Sequence, residues 1–532
     1  MATTRTRLVA LSVAAVVVAG GVAGCGSGGG EAAEKQGKEG GTAVIALTSD
    51  QQGVDAASLN DVRENVTRQL TDSLVYRNPK TDEYEPWLAT KWTVADDASQ
   101  YTFTLRDDVT FNDGTKLTAE VVKANIEALQ QKGVHSTPAG LVHGVKVEAV
   151  DEFTAKFVLP RANAGFLSSI SRADVGIVSA ATAAKPLAER QKSIDGTGPF
   201  TLVSWEANRA VVLKRRDDYN WAPASIAHDG PAYIEELRYE VIPEEQVIYE
   251  SLKSRKVDFF EAVNPLQVNT LKSAGVQISD VIGSPGLAGE QPLNVSNPIL
   301  RDKRVRQALQ YAIDRDAINK ATWLGKNQPA ANIFARTNPF WTDLSQYLGY
   351  DPAKSVRLLE EAGWTKVGDD GIRVKDGKRL SLRAAQNSPT TQIEQEEWKK
   401  IGVELVIDPP LRAEANKRIL TGEYDITYWE QTYPDADILR ANYGKTSGSN
   451  RSILDPSNAE DAALDALLEK QAVTSNADER KQIVNEAATV LVRDAYTLAV
   501  LERGKVWALG KRLHDVTPNG VDQLFYTAWL SS

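Results

Sequence analysis

Apolar and polar residues alternate in some segments of this chain, and in others apolar residues recur every three or four positions. Tyr101, Phe103 and Leu105 alternate with polar residues, as do the residues from Phe153 to Phe157. A period of two places such side chains on one face of a half-buried strand. We therefore predict a strand in each of these two segments.

Apolar stripes with helical spacing follow residues that are suited to helix starts. Thr118, Asp302 and Asp351 each precede such a stripe, and Pro352 stands at the first helical position, which proline favours. Two further amphipathic segments run near 459–472 and 478–492. Strand and helix patterns alternate without a fixed repeat, so the chain is predicted to be a mixed α/β protein.

The N-terminus has the pattern of an export signal. Arg5 and Arg7 precede an apolar run over residues 8–18, which is shorter than the roughly 20 residues that a membrane span needs. The tetrapeptide Val22-Ala23-Gly24-Cys25 then resembles the lipobox of bacterial lipoproteins, which implies cleavage before an acylated cysteine. Cys25 is the single cysteine of the chain. The alternative is an ordinary signal peptide with a chance cysteine.

Composition limits what lies behind this signal. Residues 26–41 contain Gly, Ser, Glu, Lys, Ala and Gln but no large apolar residue, so we predict a flexible tether over 25–41. The net charge of −10 argues against nucleic acid and against a basic membrane-binding face. A length of 532 residues suggests two or three domains. We expect contact with the membrane through the lipid anchor only.

Motifs for catalysis or metal binding are missing from the sequence. It has no Gly-x-Ser-x-Gly elbow and no His-Glu-x-x-His pair, and its four histidines are scattered. One cysteine and one methionine leave few soft metal ligands. We therefore expect no catalytic residues, no metal and no cofactor, although a glycosidase-type carboxylate pair has no sequence signature to search for.

Six segments carry a resemblance to a known family. In chain order they are LTDSLVYRNPKTDEYEPWLA (70–89), YTFTLRDDVTFNDGTKLTAEVV (101–122), GTGPF (196–200), NPILRDKRVRQALQYAIDRDAI (297–318), YDPAKSVRLLEEAGW (350–364) and WEQTYPDAD (429–437). Together they resemble the family 5 extracellular solute-binding proteins, the oligopeptide, dipeptide and nickel group, which serve ATP-binding-cassette (ABC) importers. The fourth segment begins with the basic residues Arg301, Lys303, Arg304 and Arg306. One interpretation of them is an anion site at a helix start, but we favour a solvated basic face above an apolar stripe.

The resemblance implies a two-lobed, type II periplasmic-binding-protein fold of the α/β class, with an extra subdomain inserted in lobe I. The implied boundaries are a signal peptide over 1–24, the tether over 25–41, lobe I over 42–74, 196–290 and 501–532, the insert over 75–195, and lobe II over 291–500. Two crossovers, near 283–294 and 500–504, would form the hinge. Gly283, Gly286 and Gly289 are expected there because glycine absorbs large backbone changes.

The resemblance also implies a function. The chain would be an exported protein, held by lipid at the outer face of the cytoplasmic membrane, that binds a peptide or peptide-like solute between its lobes. It would act as a monomer and deliver this ligand to ABC permease and ATPase subunits. The alternatives are a receptor component for solute sensing on the same fold and, more remotely, an extracytoplasmic hydrolase.

Two segments supply the candidate ligand contacts. In peptide-binding relatives a tryptophan in the sixth segment lines the cleft and an acid three residues later holds the ligand amine. Trp429 matches this tryptophan, but Thr432 stands at the acid's position, and alignment on Pro434-Asp435 places Glu430 there instead. Tyr433, Asp435 and Asp437 are further candidates, and the alternative for the two aspartates is to cap the next helix.

The second candidate segment follows the first predicted strand, over 43–47. Asp50, Gln51 and Gln52 stand in the loop after this strand, where open α/β sheets bind ligands. Gln291, near the first crossover, is an additional candidate.

Overall fold

The computed structural model describes residues 39–50, 53–55, 64–131, 140–228, 230–280, 282–283, 285–407, 418, 423–428, 433–445, 454, 457–502, 504–519 and 522–531. The predicted signal peptide, Cys25 and most of the predicted tether lie outside these ranges.

A mixed seven-stranded sheet forms the centre of the first lobe. Its strands, from one edge to the other, are Gln277–Ile278, Ala508–Leu509, Phe259–Phe260, Thr42–Leu47, Glu236–Val241, Ala210–Arg215 and Phe200–Glu206. The central strand Thr42–Leu47 is parallel to both of its neighbours, and Ile45 pairs with Tyr239 on one side and Phe259 on the other. Flanked on both sides, this strand is an apolar run, as buried parallel strands are.

A second, antiparallel sheet lies in the predicted insert. Its strand order is Ala89–Val94, Gln100–Leu105, Thr154–Val158 and Lys146–Asp151. Both strands predicted from alternation are confirmed, with the second beginning at Thr154. The helix Ala119–Leu129 packs on this sheet and begins as predicted, because the Thr118 hydroxyl accepts a hydrogen bond from the amide of Val121.

The remaining elements are mostly helical. The other α-helices are Glu64–Leu70, Phe166–Ile170, Ala180–Ala183, Leu187–Arg190, Glu245–Lys253, Val268–Ser273, Lys303–Tyr311, Arg315–Trp323, Pro352–Glu361, Pro389–Lys400, Asp437–Tyr443, Ala459–Val473 and Ala477–Arg493. Short 3₁₀ turns are Ala173–Val175, Pro265–Gln267 and Ser345–Tyr347. Small ladders pair Val75–Arg77 with Tyr84–Pro86, Ser381–Ala384 with Glu404–Ile407, Leu513–His514 with Trp529–Leu530, Thr517–Asn519 with Asp522–Leu524, and Lys366–Val367, Arg373–Lys375 and Lys378–Arg379 in one sheet. No helix of the described ranges is both long and apolar enough to cross a membrane.

The hydrophobic cores divide the chain into two parts. Two clusters are built from residues up to Val276 and from Val506 onward, and two others from residues 287–501. We call these parts lobe I and lobe II. The insert shares one continuous cluster with the large sheet, so it packs as part of lobe I.

The two glycines of the GTGPF segment (196–200) are required by close contact with another part of the backbone. A Cβ atom on Gly196 would lie 1.9 Å from the carbonyl oxygen of Leu70, and one on Gly198 would lie 2.5 Å from the carbonyl carbon of Leu70. The amide of Gly198 donates to that same oxygen at 3.0 Å, and the Thr197 hydroxyl accepts from the amide of Asp72. This segment is therefore scaffold that holds the end of helix Glu64–Leu70.

Of the four basic residues between 301 and 306, only Arg306 departs from the predicted solvated face, since the other three are exposed or partly exposed. Arg306 is buried, donates to the carbonyl oxygens of Asp494 and Leu300, and stacks 4.5 Å over the ring of Tyr496. Its position at helical spacing from the apolar stripe, on the same face, brings it into the interior. There the guanidinium satisfies carbonyl groups that would otherwise lack partners.

Candidate functional site

Polar residues lie at the carboxyl ends of the parallel strands in the large sheet, and we call this side of the sheet the polar sheet edge. Because Thr42–Leu47 and Phe259–Phe260 are parallel, the residues that follow them emerge at the same edge. Asp50 is half-buried there, and its carboxylate accepts a hydrogen bond from the indole of Trp205 at 3.3 Å. The structure thus places Asp50 at the strand end, as predicted, whereas Gln51 and Gln52 lie outside the described residues.

Glu261 is a residue at this edge that the sequence analysis missed. It directly follows Phe260, and its carboxylate pairs with Lys505 at 3.0 Å and accepts from the Gln523 side chain at 2.6 Å. The Glu261 side chain is 20% exposed and that of Lys505 33%. Its signal in the sequence was an acid in the segment that follows a buried strand, as Asp50 is. The position of Lys505 beside it depends on long-range pairing.

The two predicted crossovers run side by side. Ile282–Gly283 pairs with Gly504–Lys505, and Gly289–Pro292 pairs with Thr497–Leu501. Lys505 thus belongs both to this junction and to the polar sheet edge.

Space, rather than unusual backbone angles, accounts for two of the three predicted crossover glycines, Gly283 and Gly289. A Cβ atom on Gly283 would lie 2.7 Å from the side chain of Thr337, and one on Gly289 would lie 2.9 Å from the Tyr428 hydroxyl. Neither glycine is among those with a positive φ angle. Close packing therefore requires glycine at both positions, and the expected role of these glycines in a hinge stays a prediction.

The lobe II side of the junction is the segment 424–428. Ile426 bridges Leu293 on one side and Ala384 on the other, so this segment runs beside the first crossover. Tyr428 is the last residue of this segment and is half-buried. Its backbone amide donates to the Gln386 side chain at 2.7 Å. Trp429, Glu430 and Thr432 follow and lie outside the described residues, so their role in ligand binding stays a prediction.

Tyr433 and Asp435 are buried by protein contacts. The Tyr433 hydroxyl and the Ser169 hydroxyl of the insert are 2.7 Å apart. The carboxylate of Asp435 accepts from both terminal nitrogens of Arg480, at 2.6 and 2.7 Å, and from the amide of Asp437 at 2.8 Å. These bonds engage both oxygens of Asp435, but Asp435 does not cap the next helix, which begins after Ala436 without a side-chain cap.

Asp437 has a similar structural setting. Its two oxygens accept from Arg440, each at 2.7 Å, and Gln471 donates to it at 2.9 Å. The helix Asp437–Tyr443 itself begins after Ala436, without a side-chain cap. Asp437 therefore stabilises the first turn from within the helix and does not cap it.

Gln291 lies in the interior of lobe II. Its amide nitrogen donates to Glu394 at 2.7 Å, and the Gln291 side chain is buried, as is that of its neighbour Glu290. Burial raises the pKa of Glu394 to about 8, against the lowering effect of the Gln291 hydrogen bond. Whether Gln291 contacts ligand remains a prediction, and in this conformation its partner is Glu394.

Glu502, at the second crossover, is a buried carboxylate whose hydrogen bond comes from a backbone amide. Glu502 is buried, its pKa is raised by burial to about 7, and it accepts from the backbone amide of Arg336 at 3.0 Å. The Arg336 guanidinium lies 3.6 Å away and is 44% exposed.

Within the described residues, no three His, Cys, Asp or Glu side chains are grouped as a metal site requires.

Comparison with known proteins identifies the family. Residues 83–451 match the model of the bacterial extracellular solute-binding proteins, family 5 Middle. The chain belongs to this family. Family 5 proteins are non-enzymatic binding proteins of ABC importers, so the expectation that the chain is not an enzyme is confirmed.

Relatives within the family bind several kinds of ligand. The chain is 28% identical to the dipeptide-binding protein of Escherichia coli over 461 residues, which cover 81% of this chain and 83% of the relative. It is 26% identical to heme-binding protein A of Haemophilus influenzae over 471 residues, 83% of this chain and 82% of the relative. Both relatives match most of this chain at similar identity, although their names indicate different ligands.

Solved structures of family members share the fold. NikA from Brucella suis, in complex with Fe(III)-EDTA, superposes with a TM-score of 0.79 at 20% identity, covering 92% of this chain and all of NikA. The oligopeptide-binding protein AppA from Bacillus subtilis, in complex with a nonapeptide, gives 0.74 at 20% identity, covering 93% and 100%. The predicted two-lobed type II fold is confirmed. The predicted boundaries between its parts stay a prediction.

Proposed function

We propose that this family 5 protein is a lipid-anchored receptor that captures a peptide or peptide-like solute between its lobes and delivers it to an ABC permease. It is a monomer held at the outer face of the cytoplasmic membrane through Cys25, and it swings about the paired crossovers. The observation that carries the ligand proposal is the polar sheet edge, where Glu261 pairs with Lys505 and Asp50 follows the neighbouring parallel strand.

The charges at this edge suit a zwitterionic ligand. A charged amine that leaves water needs a charged acceptor, and a carboxylate needs a cationic or amide donor. Glu261 and Lys505 offer one group of each sign at the junction of the lobes, and both keep some exposure to solvent. The dipeptide-binding relative and the nonapeptide complex of AppA support the same ligand class.

Native mass spectrometry tests the ligand class directly. The full chain, purified without refolding, should carry either one co-purified mass or a family of peptide masses. Titration calorimetry with those compounds then gives an affinity, and small-angle scattering should show a more compact protein in the bound state. A bound state without compaction would contradict closure, and co-purified molecules without amine or carboxylate groups would contradict the ligand class.

Two substitutions test the role of the sheet edge. Glu261→Gln and Lys505→Met should each weaken peptide binding by about tenfold or more, because a charge-assisted hydrogen bond contributes roughly 1.5–3 kcal/mol. The exposed pair Glu120–Lys123 on the insert provides matched controls, Glu120→Gln and Lys123→Met. Equal affinities for all four variants would remove the sheet edge from the binding site.

A further inference from the structure

The insert and lobe II touch through polar groups on both sides. The hydrogen bonds of this contact are Ser169 Oγ with Tyr433 Oη (2.7 Å), Ala164 N to Ala472 O (2.8 Å) and Ser475 Oγ to Asp96 O (2.8 Å). Leu141 of the insert also packs against the lobe II core. A contact of this kind joins the two lobes at a place other than the crossovers.

Gly165 is the point of closest approach. A Cβ atom on Gly165 would lie 2.1 Å from Oδ1 of Asp435 and 2.4 Å from its Cγ. The φ angle of Gly165 is −89°, which every L-residue adopts, so the backbone itself does not require glycine. Glycine is needed here only because lobe II lies against this position.

Asp435 has little freedom to move away from Gly165. Its carboxylate is held by two hydrogen bonds from Arg480, and Arg480 also donates to the side chain and backbone of Gln471. A planar guanidinium that pairs with both oxygens fixes the orientation of a carboxylate. The surface presented to the insert is therefore rigid, and an added methyl group would be met by a clash.

The contact is suited to form and separate. The Tyr433 and Ser169 hydroxyls are both buried in this structure, and water would hydrate them if the lobes moved apart. Exchange of a protein hydrogen bond for bonds to water changes the free energy by only about 1 kcal/mol. Such a contact biases the balance between two arrangements without fixing one of them.

We propose that Ala164–Ser169 of the insert and Tyr433–Asp435 of lobe II form a latch that closes when the lobes close. The insert thereby adds to the stability of the closed state, and Gly165 and Tyr433 set the strength of this contribution. The proposal rests on the proposed function in one respect, because it takes the lobes to open and close.

Spin labels next to the latch measure its state in the absence of any ligand. Val94 on the insert and Val473 on lobe II are exposed and lie close in sequence to Asp96 and Ala472. In the full chain with Cys25→Ser, Val94→Cys and Val473→Cys carry the only thiols. Pulsed electron paramagnetic resonance spectroscopy should then show a short and a long distance between the labels, and the short distance belongs to the closed latch.

Gly165→Ala should lower the ratio of short to long distances by at least about tenfold, because overpacking of this kind is strongly unfavourable. Gly140→Ala is the matched control, since it lies in the same subdomain, has no positive φ angle and has nothing within 4 Å of the added atom. Tyr433→Phe removes only one hydroxyl and should lower the ratio by about fivefold. Its control is the exposed Tyr350→Phe.

The results of these measurements distinguish a failure of the latch proposal from a failure of the proposed function. Identical distance distributions for Gly165→Ala and Gly140→Ala, a single short distance in every variant, or only the long distance in the unmodified latch would each overturn the proposal. Circular dichroism checks that Gly165→Ala is folded, and Tyr433→Phe keeps the test decisive if it is not. Failure of peptides to bind would contradict the ligand class while leaving the comparison between latch variants intact.

Discussion

Glu290 lies on the first crossover and should hold a proton at neutral pH. Its side chain is fully buried, and one oxygen accepts from the Tyr443 hydroxyl at 2.6 Å and from the Thr497 hydroxyl at 3.2 Å. The other oxygen has no partner among the described residues. Burial raises the pKa of Glu290 from 4.5 to about 8, against the lowering effect of the two hydrogen bonds.

This shift predicts how stability depends on pH. The folded chain keeps the proton of Glu290 up to about pH 8, whereas the unfolded chain releases it near pH 4.5. Unfolding therefore releases a proton between these values, so stability is greatest below the unfolded pKa and falls as pH rises through the folded pKa. Between pH 5.5 and 8, this one group should cost roughly 3 kcal/mol of folding free energy.

The substitution Glu290→Gln removes the ionisable group while keeping an oxygen that accepts from Tyr443 and Thr497. The variant should gain roughly 3 kcal/mol of stability relative to the parent between pH 5.5 and pH 8. Urea denaturation at both pH values, followed by tryptophan fluorescence, measures this difference. Glu396→Gln, an exposed change on the neighbouring helix Pro389–Lys400, is the control. A difference between Glu290→Gln and the parent that is the same at both pH values would refute the argument.

Three further predictions concern single positions. Arg480→Met leaves the buried carboxylate of Asp435 without its cationic partner and should cost about 3–5 kcal/mol in urea denaturation. Gly196→Ala places a methyl group 1.9 Å from a backbone oxygen and should cost about 3 kcal/mol in the same assay. Cys25→Ser should release a folded, ligand-competent protein from the membrane, as measured by fractionation of cells and medium.

Each of these predictions has a control and a contradicting result. Arg209→Met breaks the exposed ion pair with Glu206 and should cost less than about 1 kcal/mol, so an equal cost at Arg480 would contradict the importance of burial. Gly349→Ala meets no atom within 4 Å, and a similar loss there would remove the steric explanation for Gly196. Membrane retention of Cys25→Ser would contradict lipid anchoring.

Local patterns predicted the elements well because their causes are local. Thr118, Asp302 and Asp351 cap helices where the sequence placed them, each accepting a hydrogen bond from an amide two or three residues ahead. The segments predicted near 459–472 and 478–492 are the helices Ala459–Val473 and Ala477–Arg493. Caps and apolar stripes act within one or two turns, so adjacent residues contain the information.

Charged residues were predicted less well because their partners are distant in the sequence. Arg306 was expected on a solvated face, yet its guanidinium donates to a carbonyl 188 residues away. Lys505 pairs with Glu261 only because the second crossover returns to the large sheet. A charged residue in a sequence has no marker for burial when the groups that compensate its charge come from another element.

The sequence by itself determined the α/β class and the order of the family's segments, because periodicity, caps and short motifs are properties of neighbouring residues. Only the tertiary structure decided which polar groups meet: Asp435 with Arg480, Gln291 with Glu394, and Gly165 with lobe II. These contacts join residues far apart in the chain, and their geometry depends on how whole elements pack. For the same reason the roles of the polar residues followed from the fold, while the family followed from the sequence.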